Sequence, residues 1–407
     1  MKEVDITSVP ESEEEPPEKT PTLASLAVAA RNMAKRLPLY SPRELFVALE
    51  KRGYRGQVKG RKSLCLMAYR HLKKVRRVLE EGEKNPPYEN LNTLLIGPTG
   101  SGKTFLIEQL FREVIKVPTV IVDITNYSET GYVGDDVKTV LTRLIYEAKG
   151  NIYWAGAGIV CLDEFDKLAS AQSNVRFEGQ GTSKDVTGFG VQKELLRMLE
   201  GGEIMVPLDY GFSQYGSKVK FSCRNLSFVA SGAFSGFKAL AETRGRDGKM
   251  GFRWTPKKKF HEKIAVEYDE EDVEDIENFQ VYGFLPELLG RFTRIVIFDP
   301  LCEETLKDIL KSGTLSRFER EFTSEGLTLS VDESVLDFIV KESIKRQTGA
   351  RGLGTVLTGF IEDAAYRTFA GGREARVAIA MEHKKVRVTV DPPVEGPIPG
   401  CEEEIRS

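Results

Sequence analysis

The sequence predicts an α/β protein with a parallel five-stranded sheet, followed by a smaller, mostly helical domain. Three observations predict it. The first is Gly97-Pro98-Thr99-Gly100-Ser101-Gly102-Lys103-Thr104, set between the apolar run Thr93-Leu94-Leu95-Ile96 and a helix-like segment over residues 105–116. That is a strand, a glycine-rich loop and a helix in order. The second is the recurrence of short apolar runs at 117–124, 158–162, 225–231 and 294–299 with helical stretches between them. Such alternation builds a parallel sheet whose ligand lies beyond the strand C-termini. The third is a change after Pro300, where helical patterns occupy 303–313, 316–325, 333–346 and 350–369, and two alternating runs close the chain at 375–381 and 385–390.

The glycine-rich loop has a specific chemistry. Small residues let backbone N–H groups converge on phosphate oxygens, and the helix N-terminus behind them adds its positive dipole end. Lys103 is placed to reach the β- and γ-phosphates, and the Thr104 hydroxyl to hold Mg²⁺. The stretch from Gly97 to Thr104 therefore points to a bound nucleoside triphosphate. About sixty residues later, Ile159-Val160-Cys161-Leu162-Asp163-Glu164 is an apolar strand ending in two acids. Asp163 suits the metal, and Glu164 suits orienting the water that attacks the γ-phosphate. Asp166 and Lys167 just beyond read as helix-surface residues.

Composition bounds the rest. At 407 residues the chain has room for two or three domains. A formal net charge of −3 demands neither nucleic acid nor a membrane as partner, and the longest apolar runs are of strand length. The five cysteines, Cys65, Cys161, Cys223, Cys302 and Cys401, form no Cys-x-x-Cys pair. Reduced thiols of a cytoplasmic protein are expected, and zinc is not. The acidic, Pro-rich start, with Glu11-Ser12-Glu13-Glu14-Glu15-Pro16-Pro17, argues against a targeting peptide and for a disordered tail.

Further along, residues 23–37 read as a short docking helix stopped by Pro38. Ser41-Pro42-Arg43-Glu44 is a capping box with proline at the first helical position. Residues 61–81 form a long basic helix, with a solvated face as the expected reading and nucleic-acid binding as its alternative. Gly131-Tyr132-Val133-Gly134 sits in a polar segment whose glycines present Tyr132 and Val133 at a tip. On spacing alone, a turn with a buried tyrosine is the preferred reading.

Together these stretches resemble the ring-forming AAA+ protein unfoldases of the ClpX type. The resemblance spans most of residues 54–370. Besides the loop at Gly97 to Thr104 and the strand end at Asp163-Glu164, it rests on Gly56-Gln57, the Gly131 to Gly134 loop and Asp185-Val186-Thr187-Gly188-Phe189-Gly190-Val191-Gln192. It continues through Gly232-Ala233-Phe234, Tyr282-Gly283-Phe284-Leu285-Pro286-Glu287-Leu288-Leu289-Gly290-Arg291 and Thr348-Gly349-Ala350-Arg351-Gly352-Leu353. It implies ATP with Mg²⁺ as cofactors, protein substrates, a homo-hexamer and a ClpP-like peptidase as partner. It also implies that Gly131, Tyr132, Val133 and Gly134 form a pore loop gripping an extended polypeptide. By the same resemblance, Arg291 reaches a neighbouring subunit's γ-phosphate. Arg351 touches the nucleotide from the small domain, Gly56 and Gln57 border the adenine pocket, and Ser231 is the polar group at the end of the fourth strand. Met250-Gly251-Phe252 falls where such proteins dock the peptidase.

The departures are equally specific. The zinc-binding domain with two Cys-x-x-Cys pairs that usually begins the family is replaced by the acidic tail. The stretch 206–220 carries Asp209, Tyr210, Phe212, Tyr215 and Lys218 in place of an Arg-Lys-His cluster. The organisation expected is a tail with a short helix over 1–38, a large ATPase domain over 39–300, a small helical domain over 301–391 and a loose end over 392–407. Two alternatives to an unfoldase stay open: a peptidase-independent remodeller, and a nucleotide-dependent scaffold or nucleic-acid-associated ATPase.

Overall fold

A computed structural model of the chain describes residues 22–128, 135–169, 186–208, 218–237, 273–369, 375–383 and 385–391. In chain order the strands up to residue 300 are β1 (Thr93–Ile96), β2 (Thr119–Asp123), the two-residue β3 (Tyr127–Ser128) and β4 (Asp135–Asp136), β5 (Ile159–Asp163), β6 (Glu203–Pro207), β7 (Lys218–Ser222), β8 (Ser227–Gly232) and β9 (Arg294–Ile297). Five of them form one parallel sheet in the order β2-β5-β8-β1-β9. The central strands are buried along their length, as expected where helices cover both faces of a parallel sheet. Registers such as Ile96 with both Gly232 and Ile297, and Asp123 with Asp163, align the strand ends along one edge. All crossovers therefore deliver their loops to that edge, where the site lies.

Two hydrophobic cores divide the chain. The larger runs from Ala30 to Phe298 and surrounds the sheet. The smaller runs from Leu306 to Ile379. It is made by the helices Glu303–Ile309, Ser316–Ser324, Glu333–Lys345 and Ala350–Thr368 and a sheet of β10 (Thr328–Val331), β11 (Arg376–Glu382) and β12 (Lys385–Asp391). β11 and β12 match the two alternating runs, whereas β10 and the antiparallel hairpin β6–β7 have no counterpart in the sequence reading. β10 is only four residues long and pairs parallel with β11, a contact made across the intervening helices.

Local signals were followed closely. Ser41 and Glu44 form the reciprocal capping box at the start of the helix Pro42–Lys51. The helix Leu23–Arg36 docks on the larger core through Ala30 and Ala34, and Asn151 Nδ2 donates to its Leu26 carbonyl. After the glycine-rich loop, the helix Lys103–Ile107 continues as a π-helix over Glu108–Ile115 and ends at Lys116, whose φ of 62° is left-handed. Among the described residues, no helix is long and apolar enough to cross a membrane.

The basic helix, observed as Val58–Leu79, departs from the solvated face expected of it. Arg61, His71 and Lys74 are buried. The Arg61 guanidinium lies 4.0 Å over the Phe46 ring and pairs with Glu50. Lys74 Nζ donates to Asn90 Oδ1 and to the Arg224 carbonyl. Arg61 thus ties the helix to the helix Pro42–Lys51, and Lys74 ties it to loops of the sheet, because a buried cation is tolerated only when paired or hydrogen-bonded.

His71 makes the deepest of these ties, with Nδ1 2.9 Å from Ser227 Oγ and Nε2 2.9 Å from the Ala157 carbonyl. Burial pushes its pKa from 6.5 down to about 4. The folded chain therefore keeps His71 neutral at pH values where the unfolded chain protonates it. Stability should fall by up to about 1.4 kcal/mol per pH unit as pH drops below 6.5 toward 4. Urea unfolding of wild type and His71→Gln between pH 7 and 5.5 measures this, and the variant should show the shallower pH slope. Equal slopes would remove His71 as the cause.

Candidate nucleotide-binding site

The loop after β1 is built by its two flanking strands. Gly97 N–H donates to the Gly232 carbonyl at 3.2 Å, and Phe298 N–H donates to the Ile96 carbonyl at 2.7 Å. A side chain at Gly97 would collide with Phe298, whose carbonyl oxygen would lie 2.4 Å from a Cβ there. Gly100 and Gly102 take φ values of +77° and +90°, a region that glycine enters without steric cost. Lys103 Nζ folds over the loop to donate to the carbonyls of Gly97 at 2.6 Å and Pro98 at 3.0 Å.

The reverse side of the loop is held carbonyl by carbonyl. Gly100 O accepts from Ala350 N–H at 3.2 Å. Ser101 O accepts from Gln57 Nε2 at 3.3 Å, and Gly102 O accepts from the Tyr54 hydroxyl at 3.2 Å. A trans peptide points its C=O and the next N–H in opposite directions. Anchoring these oxygens from behind therefore turns the following N–H groups toward the other side of the loop. The Ser101 hydroxyl is buried and has no hydrogen-bond partner among the described residues. An orphaned hydroxyl in a glycine cradle fits a phosphate-bearing ligand.

The end of β5 supplies the acids. Asp163 accepts from three directions: Thr104 Oγ1 to Oδ2 at 2.8 Å, Ser231 Oγ to Oδ1 at 2.7 Å, and Glu164 N–H to Oδ1 at 3.0 Å. Thr104 and Asp163 thus place hydroxyl and carboxylate oxygens side by side, the hard-oxygen ligands that Mg²⁺ takes alongside nucleotide phosphates. Ser231 is brought in by the pairing of β5 with β8. Glu164 has φ 54° and ψ 31°, left-handed for a non-glycine residue, and the chain turns sharply there. Asp166 is not a surface residue: it is buried, accepts from Ala233 N–H at 3.2 Å and pairs with Lys167. A side chain at Gly232 would strike its Oδ1, so Asp166 packs directly beneath the segment that follows β8.

These groups border a cavity of about 300 Å³. Thr99 to Thr104, Asp163 and Glu164 form one wall. Tyr54 and Arg55 form another, and Leu301, Ile309 and Arg351 close it from the side of the smaller core. Burial holds the Tyr54 phenol well above its ordinary pKa, so it remains a hydrogen-bond donor to the loop. Gly56 and Gln57 do not line the cavity. Gly56 packs on Thr305 and Leu301, while Gln57 bonds to Asp299 and Ser101. The neighbours Tyr54 and Arg55 take the place expected of them, because the chain turns away at Gly56, φ +71°. Arg291 is also outside the cavity, exposed and paired with Glu200 at 2.5 Å. The stretches Gly131 to Gly134 and Met250 to Phe252 lie outside the described residues. Leu301 and Ile309 carried no sequence signal, being apolar residues that only domain packing brings to the site.

A parallel sheet with a phosphate-binding loop after β1 and an acidic pair at the end of β5, the two strands separated only by β8, defines a P-loop ATPase. Residues 89–295 match the family model described as AAA domain (Cdc48 subfamily), and residues 301–381 match the C-terminal, D2-small domain, of ClpB protein. Among curated proteins, the chain is similar to the ATP-dependent Clp protease ATP-binding subunit ClpX of Treponema denticola, at 34% identity over 321 residues, covering 76% of this chain and 73% of the relative. The protein of the same name from Porphyromonas gingivalis is 29% identical over 341 residues, covering 83% and 80% respectively. The chain belongs to the AAA+ ATPases, among the ClpX-like members of that family.

Burial lowers the Lys103 pKa from 10.5 to about 8, against the opposing pull of Asp163 and Asp166. Phosphate binding favours the protonated amine, so above pH 8 the free protein must take up a proton to bind. Affinity for ATP without metal should therefore weaken as pH rises from 7 to 9, by at most about tenfold per unit above 8. Polarisation of a fluorescent ATP analogue measures this. A flat profile would exclude Lys103 as the titrating group.

Proposed function

We propose that the chain is an ATP-driven protein unfoldase and translocase that works as a homo-hexamer and passes its substrates to a ClpP-like peptidase. The observation that carries this reading is that both cores close one cavity. Ala350 N–H bonds to the Gly100 carbonyl, and Arg351 joins the lining. A ligand held there bears on the relative placement of two bodies, as conversion of hydrolysis into mechanical work requires. The names of the two bacterial relatives, ATP-binding subunits of a Clp protease, support the same reading.

Within it the residues divide the work. Lys103 and the loop N–H groups bind the phosphates, and Thr104 and Asp163 hold Mg²⁺, which when bound neutralises charge on the β- and γ-phosphates. Ser231 fixes the Asp163 carboxylate in one orientation through its 2.7 Å hydrogen bond. Glu164 orients the attacking water. Arg351 contacts the nucleotide from the smaller core. Arg291, exposed and remote from its own cavity, serves a neighbour's nucleotide and exchanges Glu200 for that phosphate in the ring. Tyr132 and Val133, between Gly131 and Gly134, grip the substrate, and Met250, Gly251 and Phe252 dock the peptidase.

Glu164→Gln should bind ATP normally and lose about 10²- to 10⁴-fold in turnover, as expected for loss of a group that handles the water's proton. Normal hydrolysis by this variant would rule out the role given to Glu164. The unfolding activity itself is read from the ATP-dependent loss of fluorescence of a stable folded reporter carrying unstructured tails, with no peptidase added. Wild type should unfold it and Tyr132→Ala should not. Active ATPase that unfolds no tail would favour a specialised remodeller or scaffold instead.

A further inference from the structure

We propose that Gln57 is a positioning residue that couples the phosphate-binding loop to the linker between the two cores. Its side-chain amide makes three hydrogen bonds: Nε2 to the Asp299 carbonyl at 2.6 Å, Nε2 to the Ser101 carbonyl at 3.3 Å, and Oε1 from Asp299 N–H at 3.2 Å. The amide therefore pairs with both backbone groups of Asp299, as a strand neighbour would, and spends its second N–H on the loop.

The place of Asp299 gives the pairing its consequence. Phe298 N–H makes the last backbone bond to β1, through the Ile96 carbonyl. The residue after Asp299 is Pro300, which has no N–H to donate. The smaller core begins at Leu306. Gln57 thus holds the last residue before the chain leaves for the second core. Gly56, beside it, packs on the far side of the linker, where a Cβ would lie 3.0 Å from Thr305 Cγ2 and 3.4 Å from Leu301 Cδ2.

The loop end of the clasp is equally specific. The Ser101 carbonyl shares a rigid peptide plane with the Gly102 N–H, so any tilt of that plane moves the oxygen that Gln57 holds. A ligand that draws on the loop N–H groups shifts this plane, and the amide passes the shift to Asp299. Gln57 itself sits at φ 49° and ψ 46°, uncommon for a non-glycine residue, immediately before the helix Val58–Leu79. That turn carries the side chain back between loop and linker. Since the amide is fully used and lies outside the cavity lining, its contribution goes to coupling and not to nucleotide contact.

The inference rests on the ATP-binding assignment and on the proposed movement of the two cores, and its test separates them. Dyes on Tyr146→Cys and Tyr366→Cys, both about three-quarters exposed, mark the larger and smaller cores. Cys302→Ser and Cys401→Ser remove competing thiols. Energy transfer is read with and without saturating, slowly hydrolysed ATP analogue and Mg²⁺, in wild type, Gln57→Ala and Gln57→Glu. The glutamate keeps the shape and the acceptor but loses both donations. Both variants should remain folded at the assay temperature, with a nucleotide-free melting midpoint lowered only as far as the loss of ordinary hydrogen bonds allows, and should bind the analogue within about tenfold of wild type. Their nucleotide-induced change in transfer should fall to about half or less of wild type. A full change in both variants overturns the clasp, and so does a variant that loses nucleotide binding outright, which would return Gln57 to the pocket. A wild type that binds without any change in transfer overturns the coupling itself, and one that does not bind overturns the ATP-binding assignment.

Discussion

Satisfying the hydrogen bonds of a loop that must present its N–H groups to a ligand is the constraint on which this molecule depends. An N–H offered to a ligand cannot also be spent on the protein, as that of Ser101 is on the Pro98 carbonyl, and the carbonyls of the loop face inward, where a buried unpaired oxygen is costly. Three consecutive carbonyls, at Gly100, Ser101 and Gly102, are met by Ala350, Gln57 and Tyr54. These partners come from the smaller core, from the turn before the helix Val58–Leu79, and from the turn after the helix Pro42–Lys51. The loop's shape is thus a property of the assembled chain. Closing Gly100 against Thr348 and Gly349 requires glycine, since a Cβ at Gly100 would lie 2.4 Å from the Thr348 carbonyl.

A similar economy governs the acids. Strand order sets β5 beside β8 and β8 beside β1, so Asp163, Ser231 and the loop start converge without a long connection. Asp163 then satisfies a hydroxyl from each neighbouring element while keeping its position beside Thr104. Asp166 props the Gly232-Ala233 segment from below. Lys103 sits above this arrangement, desolvated yet drawn toward the nearby carboxylates. A cationic ammonium and anionic carboxylates held close in a partly buried cavity suit the binding of a phosphate chain with its metal.

Much of this was legible in the chain alone. The loop from Gly97 to Thr104, the Asp163-Glu164 strand end, the five sheet strands and the helices after Pro300 are all written in contiguous residues. So is the capping box at Ser41, whose partners are three residues apart. Less legible were contacts between segments distant in sequence. The basic helix looked solvated because its periodicity does not say which charges find buried partners; Arg61 and Lys74 find theirs in Glu50, Asn90 and Arg224. Asp166 looked like a surface acid because its partner, Ala233, is on another strand's end. β10 has no signature of its own because four residues carry too little pattern to declare a strand without the partner β11.

By itself, then, the sequence determined the class of ligand, the residues of the phosphate loop and the acids of β5, because each is specified by neighbours along the chain. Only the tertiary structure decided what stands behind that loop and what closes the cavity over it. Gly56 and Gln57 share a stretch with Tyr54 and Arg55, yet a single left-handed turn sends the first pair to the linker and leaves the second at the cavity. Leu301, Ile309 and Arg351 reach the same cavity from the far side. The physical reason is that backbone hydrogen bonds and steric fit between distant segments are set by the packing of two cores, which local patterns of residues do not encode.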